Sequence, residues 1–342
     1  MKTKDTRNNI LVIAGPACSD SLKKGMLDKI REMSGDPSFE FCSWEDNRFI
    51  DGEFLAQIED NVRDKDVYVV QPTNPPAENF MYLKQLLKAA ADAKATRVTA
   101  VVPYMGWLRQ DRKDRPRISI VAQQAAIEIE AAMASAPERH VMILQPHFPQ
   151  VQGVFRITSD LLYPTDIFIK AFDAILNGDM ANVVPTGPDV GSLKIATTYA
   201  KRMNLDYAVG DKRRDKNEKT KILNILGPVK GKQPIIFDDI IDTGGTFVGT
   251  CRKLCELGAL PAYGAITHGI LAGGCLEKLD KAKQEGVFNK LLITDSVRHE
   301  TPIPEELVGV VPIGSLIGEA IVRNNKGQSI SEIDGMFNSL KK

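Results

Sequence analysis

Residues 235–246 read IIFDDIIDTGGT, and the order of residue types in this stretch decides the fold. Ile235, Ile236 and Phe237 form an apolar run of the kind a parallel strand shows when both of its faces are covered. The run predicts a strand that ends where Asp238 and Asp239 begin. Thr243, Gly244, Gly245 and Thr246 then offer closely spaced backbone N–H groups and two hydroxyls. Phe247, Val248, Cys251, Leu254, Cys255 and Leu257 recur at helical spacing, which puts those donors at a helix N-terminus, a ready phosphate site. Carboxylates repel phosphate, so Asp238 and Asp239 need another partner: vicinal sugar hydroxyls or a metal ion. Acidic residues solvating a strand end would explain one aspartate but not the whole string.

Strand and helix patterns alternate outward from this motif in both directions, the signature of parallel sheets with covering helices. The first half gives strands near 9–15, 67–71, 97–104 and 140–146, with helices near 20–33, 77–93 and 119–135. The second half gives strands near 182–189, 206–211, 262–269 and 290–296, with a helix near 191–203 and another after the opening motif. Two α/β units of ordinary domain size follow from a length of 342 residues. The boundaries fall at 1–163 and 164–313, and the segment from about 314 to 342 is free to pack back on the first unit.

The 44 basic and 44 acidic residues balance, so net charge points to neither nucleic acid nor an acidic membrane surface. No apolar run approaches the ~20 residues of a membrane helix, and the polar start lacks the core of a signal peptide. Five cysteines without CxxC spacing read as reduced thiols and a cytoplasmic protein.

Further segments carry chemistry. TGPDVGS (186–192) follows a strand and opens a helix. Alone it is either a plain βα turn or an anion loop; beside the opening motif its Asp189, Gly191 and Ser192 point to a pyrophosphate and its magnesium. KRRDKNEKTK (212–221) is either a solvated loop or one that closes over phosphates, with Lys212 and Arg214 first to neutralise charge on a transferring phosphoryl group. PYMGWLRQDRKDR (103–115) suits a loop that grips a nucleotide triphosphate, Gln110 hydrogen-bonding and arginines such as Arg109 making bidentate phosphate contacts. A nucleic-acid patch is the rival reading there. His147, just past the strand 140–146, is either structural or a metal ligand facing Asp189.

Together these segments resemble the ribose-phosphate pyrophosphokinase family over nearly the whole chain. RFIDGE (48–53), RQDRKDR (109–115), TGPDVGS (186–192), DKRRDKN (211–217) and FDDIIDTGGTF (237–247) occur in the family's order. The resemblance implies two phosphoribosyltransferase-like domains, each a mainly parallel sheet flanked by helices: an ATP-binding N-terminal one and a ribose-5-phosphate-binding C-terminal one. It implies a diphosphokinase that uses Mg2+ and moves the β,γ-diphosphoryl group of ATP to the 1-hydroxyl of ribose 5-phosphate. By matching motif, Asp242, Thr243, Gly244, Gly245 and Thr246 hold the 5-phosphate and Asp238 and Asp239 lie along the ribose. Asp189, Gly191 and Ser192 form the pyrophosphate loop, and Lys212 and Arg214 are the catalytic basic pair. Phe49, Asp51, Glu53, Arg109, Gln110, Asp114 and His147 match ATP contacts, and His147 and Asp189 match metal positions. A homo-oligomer built on dimers, a hexamer among them, is implied, with the ATP site at a subunit interface. The chain departs from the pattern at Gln145 and Arg156, where the family carries acids near the magnesium histidine; Asp160 remains. A non-catalytic subunit associated with such enzymes is the alternative, and intact Lys212, Arg214 and DDIIDTGGT argue against it.

Overall fold

The computed structural model describes residues 9–214 and 220–333, with side chains for all of these except 212–214 and 220–223. Two compact units account for them. The first contains residues 9–163, 296–298 and 312–333; the second contains 164–295 and 299–311.

The first unit begins with β1 (Ile10–Ala14) and α1 (Asp20–Ser34), and the hairpin β2 (Trp44–Arg48) and β3 (Phe54–Ile58) follows. β4 (Asp66–Val70), α2 (Glu78–Asp92), β5 (Arg97–Val102), α3 (Val121–Ala132), β6 (Glu138–Leu144) and β7 (Thr158–Leu162) complete its continuous part. Ser19 starts α1 by accepting a hydrogen bond from the Leu22 amide, and Gly35 ends it in the left-handed conformation. The five main strands pair all-parallel in the order β1-β4-β5-β6-β7. β4, DVYVV, is buried at all five positions, as a strand covered on both faces must be.

The second unit runs α4 (Thr165–Ile175), β8 (Val183–Gly187), α5 (Leu193–Met203), β9 (Ala208–Arg214), β10 (Thr220–Leu226), β11 (Gln233–Ile241), α6 (Gly245–Glu256), β12 (Ala262–Gly269), α7 (Cys275–Gln284), β13 (Phe288–Thr294) and β14 (Val308–Val311). Its sheet has the order β10-β9-β8-β11-β12-β13-β14 and is parallel except where β10 meets β9. Phe237 stacks on Tyr199 with ring centroids 3.7 Å apart, in a cluster that also buries Phe168 and Phe172 completely. Truncating either of these phenylalanines to alanine would cost about 3–5 kcal/mol.

The chain then returns to the first unit as α8 (Gly314–Asn325). Gly314 and Gly318 let α8 lie directly on the backbone of α1: a Cβ on Gly314 would stand 2.6 Å from the Leu22 carbonyl oxygen, and one on Gly318 2.8 Å from that of Met26. At its end, Asn324 accepts a hydrogen bond from the Tyr68 hydroxyl at 2.8 Å, and Asn325 donates to Asp66 at 2.7 Å. Arg97 pairs with the same Asp66.

Not all of these elements stand out in the sequence. β2 reads WEDNR and is mostly exposed, so no apolar alternation announces it. β3, β7, α4, β10 and α7 likewise fall outside the predicted alternation. The opening strand is longer than its apolar run predicts. β11 continues through Asp238 to Ile241, because pairing with β12 goes on (Asp238 with Ile266, Ile240 with His268, Ile241 with Gly269). Only the ladder to β8 stops, at Ile236 opposite Thr186.

Candidate active site

That difference in length builds the site of the second unit. With β8 finished, the far side of β11 is open from Phe237 onward, and Asp238 and Asp239 occupy the open stretch. The loop leaving β8 crosses the gap: Ser192 donates its hydroxyl proton to Asp238 Oδ1 at 2.8 Å. Asp189 caps the 3-10 turn Val190–Ser192, accepting from the Gly191 amide at 2.9 Å. Two helices, α5 and α6, therefore begin beside one another at the C-terminal ends of adjacent parallel strands, where open α/β sheets bind ligands.

Asp239 is 8% exposed, and its amide is held by Asp238 Oδ1 at 3.0 Å. Burial pushes Asp238 well above the ordinary carboxylate range; the charges of Asp239 and Asp189 push the same way, and the Ser192 hydroxyl pulls back. Two carboxylates held together in a partly dry site are poised to accept hydroxyl protons or to share a cation.

The Thr243–Thr246 turn is shaped from below. Gly244 sits at φ 71°, and a Cβ there would stand 2.8 Å from Cys275 Sγ at the start of α7. Lys278 of α7 donates to the carbonyls of Thr243 (2.7 Å) and Gly273 (3.2 Å). With the Thr243 carbonyl tied down in this way, the turn is held in shape at the N-terminus of α6, where the helix favours an anion. Neither Cys275 nor Lys278 carries a motif in the sequence; nothing short of the fold brings them beneath the turn. Burial raises the Cys275 thiol to about 11, so it packs as an inert neutral group.

The basic segment is placed differently from a solvated loop. Lys212 and Arg214 lie within β9, their backbones opposite Ile222 and Thr220 of β10; residues 215–219 and the side chains of 212–214 lie outside the described residues. β9 borders β8, and Gly210 presses against the loop after it, where a Cβ would stand 2.4 Å from the Pro188 carbonyl oxygen. The root of the basic hairpin is thus packed on the candidate pyrophosphate loop.

In the first unit, Arg109, Gln110 and Asp114 share the exposed loop after β5. Gly106 roots this loop by donating its amide to Thr73 Oγ1 at 2.8 Å, Trp107 packs on Phe80, and the Gln110 carbonyl accepts from the Ala122 amide. Phe49, Asp51 and Glu53 occupy the turn of the β2–β3 hairpin. Phe49 is 56% exposed there, and Asp51 accepts from the Glu53 amide. His147 is exposed just beyond β6. It belongs to the first unit and Asp189 to the second. Asp160 stands away from the C-terminal ends of the strands: it lies within β7 and pairs at 2.9 Å with His140, near the start of β6. Gln145 is buried at φ 31°, its amide bonded to the Leu162 carbonyl. Among the described residues no three His, Cys, Asp or Glu side chains converge on one point.

Two family models match the chain. That for the N-terminal domain of ribose phosphate pyrophosphokinase covers residues 18–132, and that for the phosphoribosyl synthetase-associated domain covers residues 215–334. The ribose-phosphate pyrophosphokinase of Chlorobaculum tepidum is 37% identical over 323 residues, 94% of each chain. The chain belongs to the ribose-phosphate pyrophosphokinase family. The pyrophosphokinase of Brucella melitensis is 38% identical over 288 residues, 84% of this chain and 90% of the relative. The fold is also that of the phosphoribosylpyrophosphate synthetase from Mycobacterium smegmatis, with a TM-score of 0.78 over 94% of this chain and all of the other, at 24% identity.

Proposed function

We infer that the chain is an active ribose-phosphate diphosphokinase, which moves the β,γ-diphosphoryl group of ATP to the 1-hydroxyl of ribose 5-phosphate and releases AMP. The observation that carries this is the bond between Ser192 and Asp238, which makes one continuous surface of two adjacent βα turns. One turn, Asp242–Thr246, suits the 5-phosphate. The other, Asp189–Ser192, suits the pyrophosphate, and Asp238 and Asp239 between them suit the ribose hydroxyls. The ribose is then oriented so that its 1-hydroxyl faces the transferring group, and orientation is the larger part of phosphoryl-transfer catalysis. Lys212 and Arg214, on the strand beside the pyrophosphate loop, neutralise the charge that develops in transfer. Arg109, Gln110, Asp114 and His147 contact ATP, as do Phe49, Asp51 and Glu53 reaching from a second copy in a homo-oligomer.

Mg2+ takes oxygen ligands and is usually held by one or two carboxylates together with substrate phosphates, so the absence of a three-residue cluster among the described residues fits a shared ion. His147 in the first unit and Asp189 in the second each match a metal position of the family, and the ion would offset phosphate charge when bound. No helix among the described residues is long and apolar enough to cross a membrane. All five cysteines are free thiols, which suits the reducing cytoplasm.

The test is AMP formation by purified protein from MgATP and ribose 5-phosphate. Silence from the chain alone, with AMP from a mixture with a catalytic relative, would turn the reading to a regulatory subunit. Lys212→Ala is expected to lower kcat by roughly two orders of magnitude or more with little change in either KM. Loss of ATP binding in parallel with turnover contradicts that role.

A further inference from the structure

The hairpin β2–β3 forms a two-stranded sheet of its own and takes no part in the five-stranded one. Isolated hairpins are marginal in water, so what fixes this one must come from elsewhere. It comes from α2. Tyr82 is 3% exposed; its hydroxyl donates to Asp46 Oδ2 at 2.6 Å and accepts from Arg48 Nη2 at 2.6 Å. Arg48 Nε closes the ring of bonds on Asp46 at 3.1 Å. The Tyr82 ring meets Phe54 with centroids 4.1 Å apart and Trp44 edge-on at 5.9 Å, and the Arg48 guanidinium lies over the Phe54 ring at 5.5 Å. One turn along α2, Gln85 accepts from the Ala56 amide and donates to the Phe54 carbonyl.

The partners of Tyr82 are not scattered. Arg48 is the last residue before Phe49, Phe54 the first after Glu53, and the two are paired across the hairpin. Tyr82 therefore grips both stems of the loop that carries Phe49, Asp51 and Glu53, without being in the loop. We propose that Tyr82 is a positioning residue for the nucleotide donor, setting the direction of the Phe49–Glu53 loop through Arg48 and Phe54. This rests on the diphosphokinase reading above.

Tyr82→Phe removes the hydroxyl and keeps the ring contacts. In the ligand-free protein, hydrogen exchange of the amides of 45–58 is expected to quicken while that of β4 and β5 stays put. In turnover, KM for ATP is expected to rise about fivefold, the worth of one hydrogen bond of about 1 kcal/mol, with KM for ribose 5-phosphate and kcat within twofold of wild type. Asp46→Asn should cost less when added to Tyr82→Phe than it does in the wild type, since only the Arg48–Asp46 contact is then left to weaken. Faster hairpin exchange with an unchanged ATP KM overturns the proposal, as does an equal rise in both KM values or unaltered exchange. A wild type that makes no AMP instead defeats the diphosphokinase reading and the nucleotide clause with it, while the exchange experiment still reports whether Tyr82 fixes the hairpin.

Discussion

Asp238 binds protons more tightly in the fold than in the unfolded chain. Its ordinary value is 3.8, and burial beside Asp239 raises it well above that. Between those two values the native state holds the extra proton, so stability falls as pH climbs through the window and stays lower above it. Asp238→Asn removes this loss. The variant is expected to unfold a few degrees above wild type at neutral pH, with the gap closing toward pH 4, while its affinity for ribose 5-phosphate drops; calorimetry against pH reads the first and KM the second. A midpoint that falls at pH 7 would falsify this account of Asp238. The aspartates themselves are legible in sequence because two charges in an apolar strand are costly without a purpose. The serine that holds one of them is not, since Ser192 meets Asp238 only once β8 and β11 are neighbours.

At the scale of elements, α6 begins where it does because Gly244 can take φ 71° directly above Cys275. Gly244→Ala puts a side chain into that contact and into a left-handed backbone that L residues avoid. We expect a loss of roughly 1–3 kcal/mol from strain and overpacking, and a rise of tenfold or more in KM for ribose 5-phosphate with the ATP KM unchanged. Adding Cys275→Ala should recover part of the stability and little of the KM, because the φ penalty persists. The parallel core strands and their covering helices are readable as apolar runs and helical periodicity, β4 and β11 above all. The β2–β3 hairpin is not: WEDNR has the composition of a surface loop, and its order comes from Tyr82 on a helix more than thirty residues later. The end of β11 is hidden for a related reason, since polar residues sit in the ladder as long as β12 continues beside them.

At the scale of the whole molecule, the two units are not consecutive lengths of chain. α8 belongs to the first unit although it follows the second, and it lies so close to α1 that only glycine fits at 314 and 318. Gly318→Val is expected to destabilise the first unit by about 2–3 kcal/mol, as overpacking against backbone that cannot yield, and to lower its unfolding midpoint without altering KM for ribose 5-phosphate. Urea unfolding followed by tryptophan emission reads that unit alone, since Trp44 and Trp107 both lie in it.

The same return also bears on how the protein is made. A ribosome that has finished β7 must add about 150 further residues before α8 emerges, on the order of ten to thirty seconds at ordinary elongation rates. Through that interval Gly25 and its neighbours on α1 have no helix to lie against, and Asp66 and Tyr68 lack the asparagines that complete their bonding. A chain that stops before residue 314 lacks these contacts, and its first unit is expected to be cut by protease faster than that of the full chain.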